Sequence, residues 1–208
     1  MLNGFRKLHI TKTKINKTIT LLTFSDIFTW GLMSAVNAII GIYLAEKIGV
    51  DAVKVVGIGN SIFSITKGLT QIPVGTLIDN IKHDKDDIIA LFVGSILMGL
   101  PFVFFPLITS EYIFYVLMFV VGLGSSINLV SWRKLFATNI DKHHEGKEYG
   151  LYETLMSLST ALFSILAGFI ANISQSYFDL VIVLIGVLMI SSGVFALLLF
   201  KVHDRANE

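Results

Sequence analysis

The sequence predicts an all-α, polytopic membrane protein: six transmembrane helices in a 3+3 inverted repeat, with both termini cytoplasmic. Three observations carry that prediction. Of the 208 residues 54% are apolar and the mean hydropathy is +0.76, more than the surface of a soluble domain of this length tolerates. Several apolar runs reach the ~20 residues that a helix needs to cross the hydrocarbon. The basic residues collect on alternate loops.

The first helix is expected at about 19–45, behind a basic tail at 1–18. Arg6, Lys7, Lys12, Lys14 and Lys17 ahead of an apolar stretch imitate a signal peptide. The stretch is too long for a signal h-region and lacks a small-residue cleavage site, so a retained span is expected. Within it Thr23, Asp26, Trp30, Ser34, Asn37 and Gly41 recur every three or four residues, along one face. The second helix, 53–78, repeats the device with Gly57, Asn60, Ser64, Lys67, Gln71 and Gly75. The third, 88–108, has only small residues such as Gly94, Ser95 and Gly99 among its apolar ones. The fourth, 112–131, carries Gly124, Asn128 and Ser131; the fifth, 149–173, carries Glu153, Ser157, Thr160, Ser164 and Gly168. The sixth, 179–200, is again apolar apart from Gly186, Ser191 and Ser192, and a tail at 201–208 follows.

Polar side chains inside spans are costly and turn toward a bundle interior or a water-filled cavity, so helices three and six are expected to face lipid. The order polar, polar, apolar occurs twice. A unit with an odd number of spans used twice must run in opposite directions, which is an inverted repeat.

Thirteen of the 16 Lys and Arg fall on one side of this arrangement. They are the five of the N-terminal tail, Lys82 and Lys85, then Arg133, Lys134, Lys142 and Lys147, then Lys201 and Arg205. Only Lys47 and Lys54 fall on the other side, and Lys67 lies within a span. Basic loops stay inside, which puts both termini in the cytoplasm.

Two motifs punctuate the basic loops. Seven of the nine residues from Asp79 to Asp87 are titratable, behind Gly75-x-x-x-Asp79, and Gly146-x-x-x-Gly150 leads into helix five. These features resemble the major facilitator superfamily. Its usual form in the loop between helices two and three is Gly-x-x-x-Asp-Arg/Lys-x-Gly-Arg-Arg/Lys, and a glycine pair of that spacing often precedes helix five. The lengths and order of all six helices look like one half of such a transporter. This chain departs from the pattern at Asn80, Lys82, His83 and Asp84 in the first motif, and at Glu145 where an arginine often precedes the glycine. The position near Met118 is apolar, where many proton-coupled members carry an arginine. The resemblance implies a half-size secondary transporter moving a small solute by alternating access, with Gly75, Asp79, Lys82, Gly146 and Gly150 in the gating motifs.

A substrate or ion pathway is expected at Asp26, Trp30, Asn37, Lys67, Gln71, Asn128 and Glu153, intramembrane polar groups marking function by default. Asp26 and Lys67 lie about 10 and 16 Å along their helices from the cytoplasmic ends, a difference a Lys side chain can span, so an ion pair is expected. The amides alone are as well explained as helix cross-links. Trp132 is expected to anchor a helix end at the interface. His143-His144 beside Asp141 and Glu145 is a solvated loop rather than a metal site, since adjacent histidines do not share a helix face.

The chain has no cysteine, which excludes disulfides and thiolate chemistry. The sequence contains none of the common hydrolase, zinc-protease or phosphate-loop motifs, so neither an enzyme nor a cofactor is expected. Membrane lipid, a small-molecule or ion substrate, and a second half in a homodimer or heterodimer are the expected partners; nucleic acid is not. The expected location is the cell membrane. The rival reading is a scaffold or accessory subunit, which has no need of polar stripes.

Overall fold

A computed structural model describes residues 16–49, 51–80 and 84–206. Among these every regular element is a helix. The first rod begins with α1 (Lys17–Asp26), whose N-terminal amides are capped by the Asn16 side chain at 3.1 Å from Thr18 N and 3.3 Å from Ile19 N. It continues through a π-helical turn, Ile27–Gly31, into α2 (Leu32–Ile48). Gly49, at φ 88°, ends the rod in a conformation that a side chain would strain. Then follow α3 (Ala52–Asn80), α4 (Asp84–Val103), a short 3-10 turn (Phe105–Leu107), α5 (Glu111–Asn139), α6 (Glu145–Ala171) and α7 (Gln175–Ala206).

Five helices are long and apolar enough to cross a membrane: Lys17–Ile48, Lys85–Val103, Glu111–Asn139, Glu145–Ala171 and Tyr177–Phe200. α3 matches them in length, with 29 residues, but Asn60, Lys67 and Gln71 dilute its apolar character. Three boundaries differ from expectation by five residues or more. α4 stops at Val103 rather than 108, because Pro101 breaks the hydrogen-bond ladder and Pro106 disfavours a helical residue before it. α5 runs eight residues past 131, to Asn139, carrying Trp132 and Lys134 on the helix. The tail at 201–208 is the last turns of α7 through Ala206. Of the N-terminal tail, residues 1–15 lie outside the described part.

α4 packs along α5 on one side and α7 on the other; α3 packs on α5, and α6 on the first rod. The first rod also lies against α7. Exchanging rods one, two and three with four, five and six leaves this set of neighbours unchanged. The glycines of helices three and six make the central contact. A Cβ on Gly99 would stand 2.5 Å from the Gly186 carbonyl oxygen, and one on Gly186 2.7 Å from that of Gly99, so α4 and α7 touch backbone to backbone. Only the opposite faces of these two helices, with Val93, Leu100, Leu184 and Val194, are the outward apolar surface expected of them. The rods that expose most of their length are instead α3 and α6.

The buried core has two parts. One fills the end near the chain termini around Leu22, Leu91, Trp132 and Phe136; the other fills the far half around Val36, Phe102, Phe114 and Ile182.

Candidate functional site

The π turn decides where the first rod points its polar residues. A π turn holds one more residue than an α turn needs, so groups four apart on either side of it no longer share a face. Asp26, before the turn, faces α6 and accepts a hydrogen bond from the Tyr152 hydroxyl. Asp26 is 4% exposed, and its Oδ1 has no hydrogen-bond partner. Trp30, at the far side of the turn, faces α5 and donates from Nε1 to Asn128 Oδ1 at 3.0 Å. Asn128 Nδ2 in turn donates to Ser95 Oγ at 3.1 Å, and Ser95 donates to the Leu91 carbonyl at 3.0 Å. Gly94 permits this chain: a Cβ there would meet the Asn128 backbone nitrogen at 2.5 Å. The buried amide thus fixes the indole to the α4–α5 contact.

Lys67 reaches the same place from α3. Its Nζ lies 5.5 Å from the Trp30 ring centroid and 5.1 Å from that of Phe63. Each such contact is worth ~0.5–2 kcal/mol, more as water is excluded. The expected Asp26–Lys67 ion pair is therefore not formed: the lysine stands over Trp30, and the aspartate is turned to α6. Matching heights along two helices does not match directions around them.

The other predicted pathway residues divide. Asn37 on α2 and Glu153 on α6 are exposed, and Gln71 on α3 is half-buried one turn beyond Lys67. Trp30, Lys67 and Asn128 are brought together; Asn37, Gln71 and Glu153 are not in contact with that group through any hydrogen bond or ion pair among the described residues.

At the end of the bundle that holds the termini, Lys134 ties three helices. Its Nζ lies 3.1 Å from Asp87 Oδ1 on α4, 3.0 Å from the Ile78 carbonyl oxygen and 3.8 Å from Asp79 Oδ1 on α3. Asp79 thus faces a lysine, though its side chain is 76% exposed, whereas that of Asp87 is 3% exposed. Gly75 does not serve a close approach here: a Cβ would meet Val130 Cγ1 at an ordinary 3.7 Å. A Cβ on Gly146 or Gly150 would meet nothing within 4 Å. Lys82 lies outside the described residues.

Trp132 is not an interface anchor. It is buried, donates from Nε1 to the Leu22 carbonyl at 3.0 Å, stacks on Phe136 with centroids at 4.6 Å and packs against the tilted ring of Tyr152 at 4.8 Å. At the opposite end Lys47 lies 3.0 Å from Asp179, which also accepts from the Tyr43 hydroxyl at 2.7 Å, joining the first rod to α7. Sequence reasoning missed Tyr152, Lys134, Asp87, Lys47 and Asp179 as partners. The one local signal was an aspartate directly ahead of the apolar run Ile88-Ile89, where a purely solvating acid is out of place.

The family model described as Major Facilitator Superfamily matches residues 19–208. No curated protein matches the chain.

Proposed function

We propose that this chain, which belongs to the Major Facilitator Superfamily and is therefore a membrane transporter, works as one six-span half of a secondary transporter. In this reading α3 is the sixth span, although it is less apolar than the other five. Both termini face the cytoplasm, as the thirteen basic residues on that side favour. The location is the cell membrane. The matched neighbours of rods one to three and four to six support a 3+3 inverted repeat.

The observation that carries the transport reading is the polar surface on the first rod, α3 and α6. Asn37, Asn60, Ser64 and Ser157 are exposed, in the middle of helices long enough to span a bilayer. Polar groups facing hydrocarbon cost several kcal/mol each, so that surface faces water or a partner. A second six-helix unit, most simply a second copy of this chain, covers it. The two units then enclose a cavity lined by Trp30 and Lys67 from each, with the substrate between them. Alternating access is a rocking of one unit against the other. Asp79 and Lys134 lie at the cytoplasmic edge, where contacts can form in one state and break in the other.

The test is a thermal-shift and proteoliposome-uptake screen of sugars, amino acids, cations and cationic drugs. A solute that stabilises the protein and is taken up, with both effects lost in Lys67→Met, supports the reading. Protein that is folded and dimeric yet responds to none of these classes favours a scaffold.

A further inference from the structure

We infer that the ammonium of Lys67, held over the rings of Trp30 and Phe63, receives the carboxylate of a small organic acid whose apolar body lies on those rings. This rests on the transporter reading above and names the charge class of its solute.

Lys67 sits near the middle of α3, where a charged group is costly unless a counter-charge or water meets it. The chain supplies that counter-charge to two other part-buried lysines: Lys47 lies 3.0 Å from Asp179, and Lys134 lies 3.1 Å from Asp87. Lys67 has no carboxylate within ion-pair distance among the described residues, and its Nζ donates no hydrogen bond to an oxygen there. Asp26, the other charge set deep in a rod, is turned away and bonded to the Tyr152 hydroxyl. What Lys67 has instead is aromatic surface, with ring centroids 5.5 Å away at Trp30 and 5.1 Å away at Phe63. Ring faces attract an ammonium, but they take up none of its three N–H donors as an oxyanion does.

The rest of the face completes the match. Asn60, Ser64 and Gln71 share the Lys67 side of α3, and among the described residues their side chains make no hydrogen bond. They are neutral donors for the second carboxylate oxygen or for a hydroxyl on the solute. Trp30 is fixed before any solute arrives, because Asn128 Oδ1 accepts from its Nε1 at 3.0 Å. A platform ordered in advance saves the entropy of ordering it on binding.

Two other charge classes fit less well. A cationic solute would meet the like charge of Lys67, and the ring faces that would attract it already lie under the ammonium. Phosphate sites gather several backbone N–H groups or arginines, whereas the N–H groups in the middle of α3 are spent on the helix. One lysine, a single point charge, is matched by one carboxylate.

Three probes with one ring and three charges test this: phenylacetate, phenylacetamide and phenethylamine, titrated at pH 7 into the full chain in lipid nanodiscs. In a Trp132→Phe background Trp30 is the only tryptophan, so its emission reports binding, with empty nanodiscs as the blank for partition into lipid. Calorimetry on the unaltered chain gives the same ranking if that variant does not fold. Phenylacetate is expected to bind saturably and about tenfold or more tighter than phenylacetamide, the margin of one charge-assisted hydrogen bond, and phenethylamine is expected not to bind. Lys67→Met, or Lys67→Gln if the first does not fold, is expected to erase the difference between acid and amide, and Lys67→Arg to keep it. A folded protein that ignores phenylacetate, binds acid and amide equally, prefers the amine, or keeps its preference for the acid without Lys67 overturns the inference. Phenylacetate that binds with this preference but is not taken up by proteoliposomes, alongside a failed solute screen, leaves the anion site standing and removes the transport reading. Uptake of a neutral or cationic solute by a chain that ignores phenylacetate does the opposite.

Discussion

Trp30 and Asn128, 98 residues apart, are joined by a 3.0 Å hydrogen bond from the indole nitrogen to the side-chain amide oxygen. The bond makes a surface of what is otherwise a pair of helices. It fixes the indole over which Lys67 lies, and passes that constraint through Ser95 to α4.

Replacing Asn128 with Ala should therefore loosen Trp30. The indole N–H and the Ser95 hydroxyl each lose a partner, at ~1–3 kcal/mol for a buried group. In a Trp132→Phe background Trp30 is the only tryptophan. Its emission should shift red and be quenched more readily in Asn128→Ala; unchanged emission would mean that the amide does not hold the ring.

The contact between α4 and α7 gives a sharp contrast among glycines. Gly99→Ala pushes a methyl to 2.5 Å from the Gly186 carbonyl oxygen, where only backbone movement relieves it. A loss of ~1–3 kcal/mol or more in detergent unfolding is expected. Gly146→Ala meets nothing within 4 Å and should be neutral or stabilise α6 by up to ~1 kcal/mol. Equal effects of the two substitutions would contradict the packing described.

Lys134→Met should be among the most damaging single changes at the terminal end. It removes the Lys134–Asp87 ion pair, whose carboxylate side chain is 3% exposed, and breaking a buried pair from one side costs ~3–5 kcal/mol. Asp79→Asn, at a side chain 76% exposed, should cost less than ~1 kcal/mol in stability while still altering transport. Thermal unfolding of both variants beside an uptake assay separates structural from gating roles.

The topology has its own direct check. A single cysteine at Asp51 should react with an impermeant maleimide in intact cells, and one at Asp79 or Lys142 only after the membrane is opened. External labelling at Asp79 would reverse the orientation.

The rods were legible in the sequence because helical length and apolar character are local properties, although α3 is not apolar enough to join the five helices that could cross a membrane. Their relations were not. Asp26 and Lys67 were paired by height alone, and the π turn at Ile27–Gly31, which turns Asp26 to α6 and Trp30 to α5, has no local sequence mark. Trp132 reads as a girdle residue beside Arg133 and Lys134, yet α5 carries all three on eight residues past the expected end. Its burial depends on Leu22 and Tyr152, contributed by two other helices. The apolar make-up of helices three and six suggested a lipid-facing exterior; facing each other, Gly99 and Gly186 instead bring the two backbones into contact inside the bundle.

The central claim is that the polar face of the first rod, α3 and α6 is covered by a second copy of this chain. Cross-linking of Asn37→Cys in native membranes with a short bifunctional maleimide tests it most directly, because position 37 is exposed and would be the only thiol in each chain. An efficient cross-linked dimer, formed at low expression and lost when the thiol is moved to Leu184 on the outward apolar side of α7, is the predicted result. A chain that remains uncross-linked at position 37, and transports as a monomer in nanodiscs, would contradict it.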